Sequence, residues 1–312
     1  MRFLKLACVS SIFLGCALAQ LSVSKRSELN GESSIPGPAV SPGSVVSIFS
    51  SGLAKSTLTP DTASLSVTLT DGSLANGATY LPGGLVPGSW AQVTGAGLST
   101  VTRLWSDPDF VGLGNNLPTD LSGVEVNVNS LPAAVYYISP GQIDFQVPTG
   151  VSGTASVQVI NNGSASNIVT AAAATNAPGI FPVIVNGINY PAGVFLDGEL
   201  IGDPTVNSAF RNAKPGDVIQ LYATGLVPTS AGVLPVPQGV SGVTVTIGSV
   251  TVPADFAGLV AVGEFQINFT VSQQFASLPA GSYPMTISVN GVSSPAAINS
   301  NPPGPLVIPI TH

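Results

Sequence analysis

The residues best suited to chemistry lie in one loop, residues 99–120, which carries Arg103, Trp105, Asp107 and Asp109. An aromatic ring beside acids and amides can bind a sugar. Two carboxylates separated by about 5–10 Å are what a glycoside hydrolase requires. The alternative is a solvated loop whose Trp105 caps the end of a β-sandwich. The sequence leaves both open, so these four residues are our candidate ligand-binding site and we predict no catalytic residue.

Other reactive side chains are scarce. The single histidine, His312, is the last residue, and both cysteines, Cys8 and Cys16, lie near the N-terminus. A Ser-His-Asp triad and a histidine metal site both need a histidine, and a thiol nucleophile needs a cysteine. Because these residues occur only near the two ends of the chain, we expect none of these sites. We predict a protein that is not an enzyme, with no metal and no cofactor.

Two smaller groups of polar residues have competing interpretations. Asp197, Glu199 and Asp203 share one turn and could bind a cation such as calcium, but Asp-Gly at this point is also an ordinary hairpin turn. Asp144 and Asn268 occupy matching positions in two alternating stretches, where we expect solvent-facing residues on a sheet.

The composition is that of a secreted β protein. Hydrophobic residues make up 44% of the 312 residues and charged residues only 7%, with a formal net charge of −7. Apolar content this high can build a core, whereas a disordered chain would need low hydrophobicity and high charge. An acidic chain poor in lysine and arginine cannot neutralise a phosphate backbone, so nucleic acid is not an expected partner.

The N-terminus has the pattern of a signal peptide. Arg2 and Lys5 precede an apolar run over residues 6–14, and an Ala-x-Ala cleavage sequence ends at Ala19. This predicts cleavage after Ala19 and a secreted or cell-surface location. The alternative is a lipoprotein acylated at Cys16. No later stretch is long and apolar enough to predict a membrane span.

Two kinds of repeat organise the rest of the chain. Residues 121–148 return in altered form as residues 240–271, and both copies end in an alternating strand, QIDFQV or QINFTV. A Pro-Gly pair followed ten positions after its proline by Gly-Leu occurs three times, beginning at Pro42, Pro87 and Pro215. The Pro-Gly turn should lead into a strand, and the later glycine should allow a sharp exit before the leucine returns to the core.

Period-two alternation predicts strands with one buried and one wet face, as at Val124, Val126 and Val128. Asn162-Gly163 predicts a type I′ hairpin. The fold class we predict is all-β, with tandem immunoglobulin-like β-sandwiches and a short N-terminal accessory β unit. The predicted organisation is a signal peptide (1–19), a flexible lead (20–37), the accessory unit (38–75), domain one (76–184), domain two (185–300) and a Pro-rich tail (301–312), poorly ordered at its end.

The chain resembles the uncharacterised Solibacter-type C-terminal domain of secreted acidobacterial proteins. The resemblance is carried by NGATYLPGGLVPGSWAQVTGAGLSTVTRLW, LPTDLSGVEVNVNSLPAAVYYISPGQIDFQVP, APGIF, VNGINYPAGVF and FRNAKPGDVIQLYATGLVPT, between about Asn76 and Val271. The Pro-Gly to Gly-Leu pattern is also similar to IPT/TIG early-set immunoglobulin-like domains. The resemblance implies an all-β immunoglobulin-like pair with a secreted or cell-surface life, and it implies no activity or catalytic residue.

The function we predict is that of a non-enzymatic, secreted or surface-attached structural or adhesion protein. Its expected partner is an extracellular glycan or a protein surface, and flat sandwich edges of low charge can bind by strand addition. One alternative is a carbohydrate-binding module that uses residues 99–120, with Tyr136 and Tyr137 as further stacking candidates. Strict alternation would place those two tyrosines on opposite faces. The second alternative is a carboxylate-based glycosidase.

Overall fold

Alternating apolar residues form strands throughout the computed structural model, which describes residues 66–312. The described part of the first sandwich contains β1 (Thr68–Leu69), β2 (Ala75–Asn76), β3 (Trp90–Ala96), β4 (Arg103–Leu104), β5 (Asp120–Leu121), β6 (Val124–Val128), β7 (Leu131–Ile138), β8 (Gln142–Gln146), β9 (Thr154–Asn161), β10 (Ser164–Ala165) and β11 (Val169–Ala172), with a 3₁₀ helix at Asp107–Phe110.

The second sandwich contains β12 (Gly179–Ile180), β13 (Pro182–Val185), β14 (Ile188–Pro191), β15 (Gly193–Phe195), β16 (Leu200–Ile201), β17 (Phe210–Arg211), β18 (Val218–Thr224), β19 (Gln238–Gly239), β20 (Thr244–Ile247), β21 (Val250–Pro253), β22 (Phe256–Ala261), β23 (Glu264–Thr270), β24 (Gly281–Val289), β25 (Val292–Ser293) and β26 (Val307–Ile310), with a 3₁₀ helix at Gln273–Ser277. The predicted all-β tandem sandwich is confirmed.

Each sandwich is built around an equivalent pair of antiparallel strands. In the first, β3 pairs with β8, and Gln92 lies opposite Asp144. In the second, β18 pairs with β23, and Gln220 lies opposite Asn268. β7 crosses between the layers of the first sandwich, because its first residues pair with β6 and its last with β8. In the second sandwich, the sheet that contains β18 and β23 faces a separate sheet built on β20 and β24.

Several of the strand and turn predictions hold for individual side chains. Val124, Val126 and Val128 are buried, as alternation predicted. In both described Pro-Gly to Gly-Leu copies the glycines have positive φ and the leucines, Leu98 and Leu226, are completely buried. The copy that begins at Pro42 lies outside the described residues. Positive φ at both residues of the Asn162-Gly163 turn confirms the type I′ hairpin.

The two hydrophobic cores place the division between sandwiches earlier than the sequence suggested. Val67, Leu69 and Leu74 pack in the core of the first sandwich although the sequence assigned them to the accessory unit. Ile180, assigned to domain one, packs in the second core, because β12 pairs with β18. The connection between the sandwiches is therefore residues 173–178. The rest of the accessory unit, the flexible lead and the signal peptide lie outside the described residues.

The expectation of a poorly ordered tail is wrong. β26 pairs with β24, and Ile308 and Ile310 belong to the second core. Leu306, Ile308 and Ile310 alternate like any half-buried strand, and the surrounding prolines concealed that pattern. Within residues 66–312, no helix is long and apolar enough to cross a membrane.

Candidate functional site

The loop that carries the predicted site is fastened by its own side chains. Arg103 forms a two-pronged ion pair with Asp109, at 2.5 Å from Nη2 to Oδ1 and 3.2 Å from Nη1 to Oδ2. Asp109 also accepts hydrogen bonds from the backbone N–H and hydroxyl of Ser106, which closes a capping box at the start of the 3₁₀ helix. Asp107 is exposed beside this arrangement. Both oxygens of Asp109 are thus used to fold the loop.

Trp105 belongs to a cluster of aromatic rings. Its ring meets Trp90, Phe110 and Tyr136 edge to face, with centroids at 5.8, 5.2 and 5.0 Å. Edge-to-face contacts of this kind stabilise aromatic clusters beyond the area that they bury. The structure therefore brings all four predicted residues into one loop and engages three of them, Arg103, Trp105 and Asp109, in contacts within the chain. A ligand-binding role for them stays a prediction.

The two tyrosines of β7 do not alternate as predicted. A β-bulge lies between Val135 and Tyr137, and Tyr137 then pairs with Asp144. Because a bulge adds one residue to a strand, it resets the alternation at that point. Both tyrosines are half-buried, and Tyr136 packs with Trp90 and Trp105.

This aromatic cluster forms part of the junction between the two sandwiches. The indole Nε1 of Trp90 donates to the carbonyl of Val262 at 2.7 Å, and the backbone N–H of Trp90 donates to Oγ1 of Thr224 at 3.0 Å. The same Thr224 hydroxyl donates to the carbonyl of Gly263 at 2.7 Å. Thr224 is fully buried, so its hydroxyl depends on these two partners for its hydrogen bonds.

A second set of contacts joins the sandwiches at Gln146, which is only 1% exposed. Its Nε2 donates to the carbonyl of Gly88, and its Oε1 accepts from the N–H of Gly232 in the other sandwich. Beside it, residues 115–117 and 232–234 pair as a short antiparallel bridge. The site loop thus leads directly into a strand-like contact with the second sandwich.

The connection itself is held from both sides. Asn76 in β2 accepts from the N–H groups of Ala78 and Thr79, and its Nδ2 donates to the carbonyl of Ala177 at 2.9 Å. Ala177 in turn donates its N–H to the carbonyl of Gly225. Ala177 is therefore tied to the first sandwich by the side chain of Asn76 and to the second by a backbone hydrogen bond.

The repeated Pro-Gly to Gly-Leu motif supplies the closest approaches. A Cβ on Gly88, at the start of the first described copy, would lie 2.1 Å from Oγ1 of Thr229. A Cβ on Gly225, at the end of the second copy, would lie 2.2 Å from the carbonyl oxygen of Ala177. Opposite ends of the motif thus meet at the junction, and both positions require glycine.

One acidic residue is buried at this junction. Glu264 directly follows the turn that contacts Trp90, is 8% exposed, and has an Oε1 with no hydrogen-bond partner. Burial raises the pKa of Glu264 to about 7.

Two of the three acids predicted as a possible cation site, Asp197 and Glu199, pair with Arg211. Arg211 places Nη1 2.9 Å from Asp217 and Nε 2.6 Å from Glu199, and its guanidinium lies 3.6 Å from the ring centroid of Phe195. Asp197 lies 3.5 Å from the same guanidinium. Asp203 instead accepts from the N–H and hydroxyl of Thr205, which lowers its pKa. In the part of the chain that the structure describes, no group of three or more metal-ligating side chains forms.

The matching polar residues of the repeats make the same hydrogen bond in both sandwiches. Gln142 donates from Nε2 to Oδ1 of Asp144, and Gln266 donates from Nε2 to Oδ1 of Asn268, each at 2.8 Å. Asp144 and Asn268 are half-buried, where the sequence predicted solvent-facing residues. Burial raises the pKa of Asp144 to about 7, against a smaller opposing effect of the Gln142 hydrogen bond.

Sequence reasoning missed Trp90, Thr224, Gln146 and Glu264. A signal for two of these was present, since Trp90 and Thr224 lie within the two described Pro-Gly to Gly-Leu copies.

Comparisons with known proteins found one family model and several solved structures of low similarity. Residues 110–175 match the sequence model of the IPT/TIG domain. A search of curated proteins found no significant match. Similar solved structures include SGBP-B of the Bacteroides ovatus mixed-linkage glucan utilization locus, in complex with a mixed-linkage heptasaccharide, at 15% identity and TM-score 0.30 over 73% of this chain. This chain spans 43% of the length of that protein.

Two further structures are similar at the same low level. The D0-D1 domain of intimin is 12% identical over 78% of this chain and 99% of its own, with a TM-score of 0.21. Domains 5-6 of the S-layer protein SbsC are 13% identical over 78% and 98%, with a TM-score of 0.20. Values this low transfer no function to this chain.

Proposed function

We propose that this protein is a secreted or cell-surface structural or adhesion protein without catalytic activity, in which the two sandwiches act as one rigid unit. The observation that carries the proposal is the junction, where Trp90, Thr224 and Gln146 link the sandwiches by buried hydrogen bonds. Domains within one chain ordinarily meet through small interfaces and move relative to one another. Buried hydrogen bonds such as those of Trp90, Thr224 and Gln146 resist such hinging.

The chemistry of the loop supports a structural role over hydrolysis. A glycosidase needs one carboxyl group as an acid and a second as a base or nucleophile. Asp109 is held by Arg103 and by the N–H of Ser106, and these contacts occupy both of its oxygens. The extracellular location is supported by the predicted leader and by the low charge of the chain, and the proposed partner is an extracellular glycan or protein surface.

Calorimetry of the full chain tests the rigid unit. We expect a single unfolding transition whose calorimetric and van't Hoff enthalpies agree. Thr224→Val keeps the shape of the side chain, removes the hydroxyl that links Trp90 to Gly263, and should separate the transition into two. Thr170→Val, at an exposed site on β11, is the matched control and should leave it single. Two independent transitions in the parent protein would contradict the proposal.

Location and activity require separate measurements. Antibody labelling of intact cells of the producing organism, together with assay of the medium, should place the protein outside the cytoplasm. Purified protein should turn over no glycoside substrate. Hydrolysis that disappears in Asp107→Asn or Asp109→Asn would show that the loop is catalytic and would overturn the non-enzymatic assignment.

A further inference from the structure

The outer face of the second sandwich carries an aromatic ring laid flat on a strand. Phe256 in β22 is 44% exposed, and no other phenylalanine of the described residues is exposed. A Cβ on Gly258, two residues later, would lie 2.9 Å from Cζ and 3.5 Å from Cε2 of the Phe256 ring. The ring therefore lies over the bare backbone of Gly258, and a larger residue there would displace it.

Amide side chains extend from this ring across the sheet. Phe256 is paired with Asn268, and Asn268 is paired with Gln220, so these three side chains share one face in a single cross-strand row. Gln266, the partner of Gly258, lies on the same face and donates to Oδ1 of Asn268. That bond fixes the orientation of the Asn268 amide.

The row keeps hydrogen-bonding capacity for a ligand. Among the described residues, Asn268 uses only Oδ1 and the Gln220 side chain makes no hydrogen bond. Neither residue has a polar atom that is both sealed from solvent and unbonded. Solvent therefore reaches these donors and acceptors, and hydroxyl groups of a bound molecule can replace that water.

We propose that this face, defined by Phe256, Gln220, Gln266 and Asn268, binds an uncharged polysaccharide. A sugar ring has an apolar C–H face that stacks on an aromatic ring, and a rim of hydroxyl groups that both donate and accept hydrogen bonds. Amides match that rim because each offers a donor and an acceptor. This site is distinct from the loop at residues 99–120, and it does not depend on the rigidity of the junction.

The charges on and beside this face favour a neutral ligand over an anionic one. None of the four residues is charged, and the neighbour of Phe256 is the exposed acid Asp255, which accepts from the hydroxyl of Thr270. An anionic polysaccharide would meet that negative charge with no cation in the row to offset it. A neutral glycan chain incurs no such repulsion.

The test is native affinity electrophoresis of the full chain through gels that contain cellulose derivatives without charge, xylan, β-1,3-glucan or mannan, with alginate and polygalacturonate as anionic probes. At least one neutral polysaccharide should retard the protein. Phe256→Ala should weaken that binding roughly tenfold, the scale of one lost aromatic contact. Phe256→Tyr keeps the ring and should retain binding.

Ile168→Ala removes another exposed apolar side chain, in the first sandwich, and should bind like the parent protein. Because Phe256 is exposed, its alanine variant should also keep the parent melting curve, which shows that lost binding is not lost folding. Three results would each overturn the proposal: retardation by none of the neutral polysaccharides, retardation by the anionic ones alone, or full binding by Phe256→Ala.

Discussion

The two sandwiches contain equivalent strand pairs, β3 with β8 and β18 with β23, but they bury opposite ends of the Pro-Gly to Gly-Leu motif at the junction. In the first, the Pro-Gly end of the motif is buried at the junction, with Gly88 against Thr229. In the second, the Gly-Leu end is buried there, and the Pro-Gly end at Gly216 has no atom within 4 Å of its missing Cβ. Both sides of the junction are therefore formed by copies of one motif, but by opposite ends of it. Residues at equivalent positions in the two copies consequently differ in burial and in contacts.

The same difference holds for the outer faces. Both copies keep a Gln-to-Asx hydrogen bond and an aromatic residue opposite the Asx position. In the first sandwich this row contains Asp144 and the half-buried Tyr137, whereas in the second it contains Asn268 and the exposed Phe256. The equivalent positions thus carry an acid and a half-buried ring in one sandwich, and a neutral amide and an exposed ring in the other.

The largest effect should come from the aromatic residue at the junction. Trp90→Ala removes a ring that is only 8% exposed, together with its hydrogen bond to Val262. Large-to-small changes of this kind lower the free energy of unfolding by about 3–5 kcal/mol. The equivalent residue of the second copy, Val218, is half-buried away from the junction, so Val218→Ala should cost about 1 kcal/mol. Urea denaturation followed by circular dichroism measures both. Equal losses would show that the two ends of the motif are equivalent.

The next effect depends on pH. The pKa of Glu264 rises from 4.5 to about 7 on folding because of burial, so the folded state holds its proton more tightly than the unfolded state. Its contribution to stability is full below about pH 4.5 and is lost as the pH rises through 7. A shift of this size corresponds to about 3 kcal/mol. Glu264→Gln should therefore stabilise the protein at pH 8, change little at pH 4, and flatten the pH profile between. An unchanged profile would show that Glu264 ionises freely.

The sequence predicted those parts of the fold that depend on neighbouring residues. Alternation at Val124, Val126 and Val128 and the Asn162-Gly163 turn are local patterns, and the structure contains both. The junction is different, because Trp90 contacts residues 134 and 172 positions away. No periodicity in a short window encodes a contact of that separation.

The sequence could not show how the candidate site residues are used, for a related reason. Arg103, Trp105 and Asp109 have the residue types of a ligand-binding loop, but those types also suit ion pairs and ring contacts within the chain. Which use applies depends on the residues that the fold brings beside them, here Phe110 and Tyr136 around Trp105. The Tyr136 bulge was also hidden, because one inserted residue changes the register of the strand without altering its composition.

A third experiment compares the motif's two Pro-Gly glycines. Gly88 and Gly216 both have positive φ, so alanine at either strains the backbone by about 1–2 kcal/mol. Only Gly88 also lacks room, since its added Cβ would overlap Thr229, and crowding of this kind costs about 1–3 kcal/mol more. Gly88→Ala should therefore be less stable than Gly216→Ala by that difference. Thermal melts of the two variants decide this, and equal melting temperatures would place Gly88 outside the junction.

The smallest effect should come from exchanging the matched polar residues. The pKa of Asp144 is raised from 3.8 to about 7 by burial, so its contribution is full below about pH 3.8 and is lost as the pH rises through 7. The side chain is half-buried, and solvent reduces the effect to about 1–2 kcal/mol. Asp144→Asn should stabilise the protein by that amount at pH 8. Asn268→Asp should destabilise it at the same pH, but by a smaller amount, because the row beside Phe256 is more exposed to solvent. Denaturation at pH 5 and pH 8 separates the two variants, and a larger loss from Asn268→Asp would mean that the second sandwich has the drier face and could not admit a polysaccharide there.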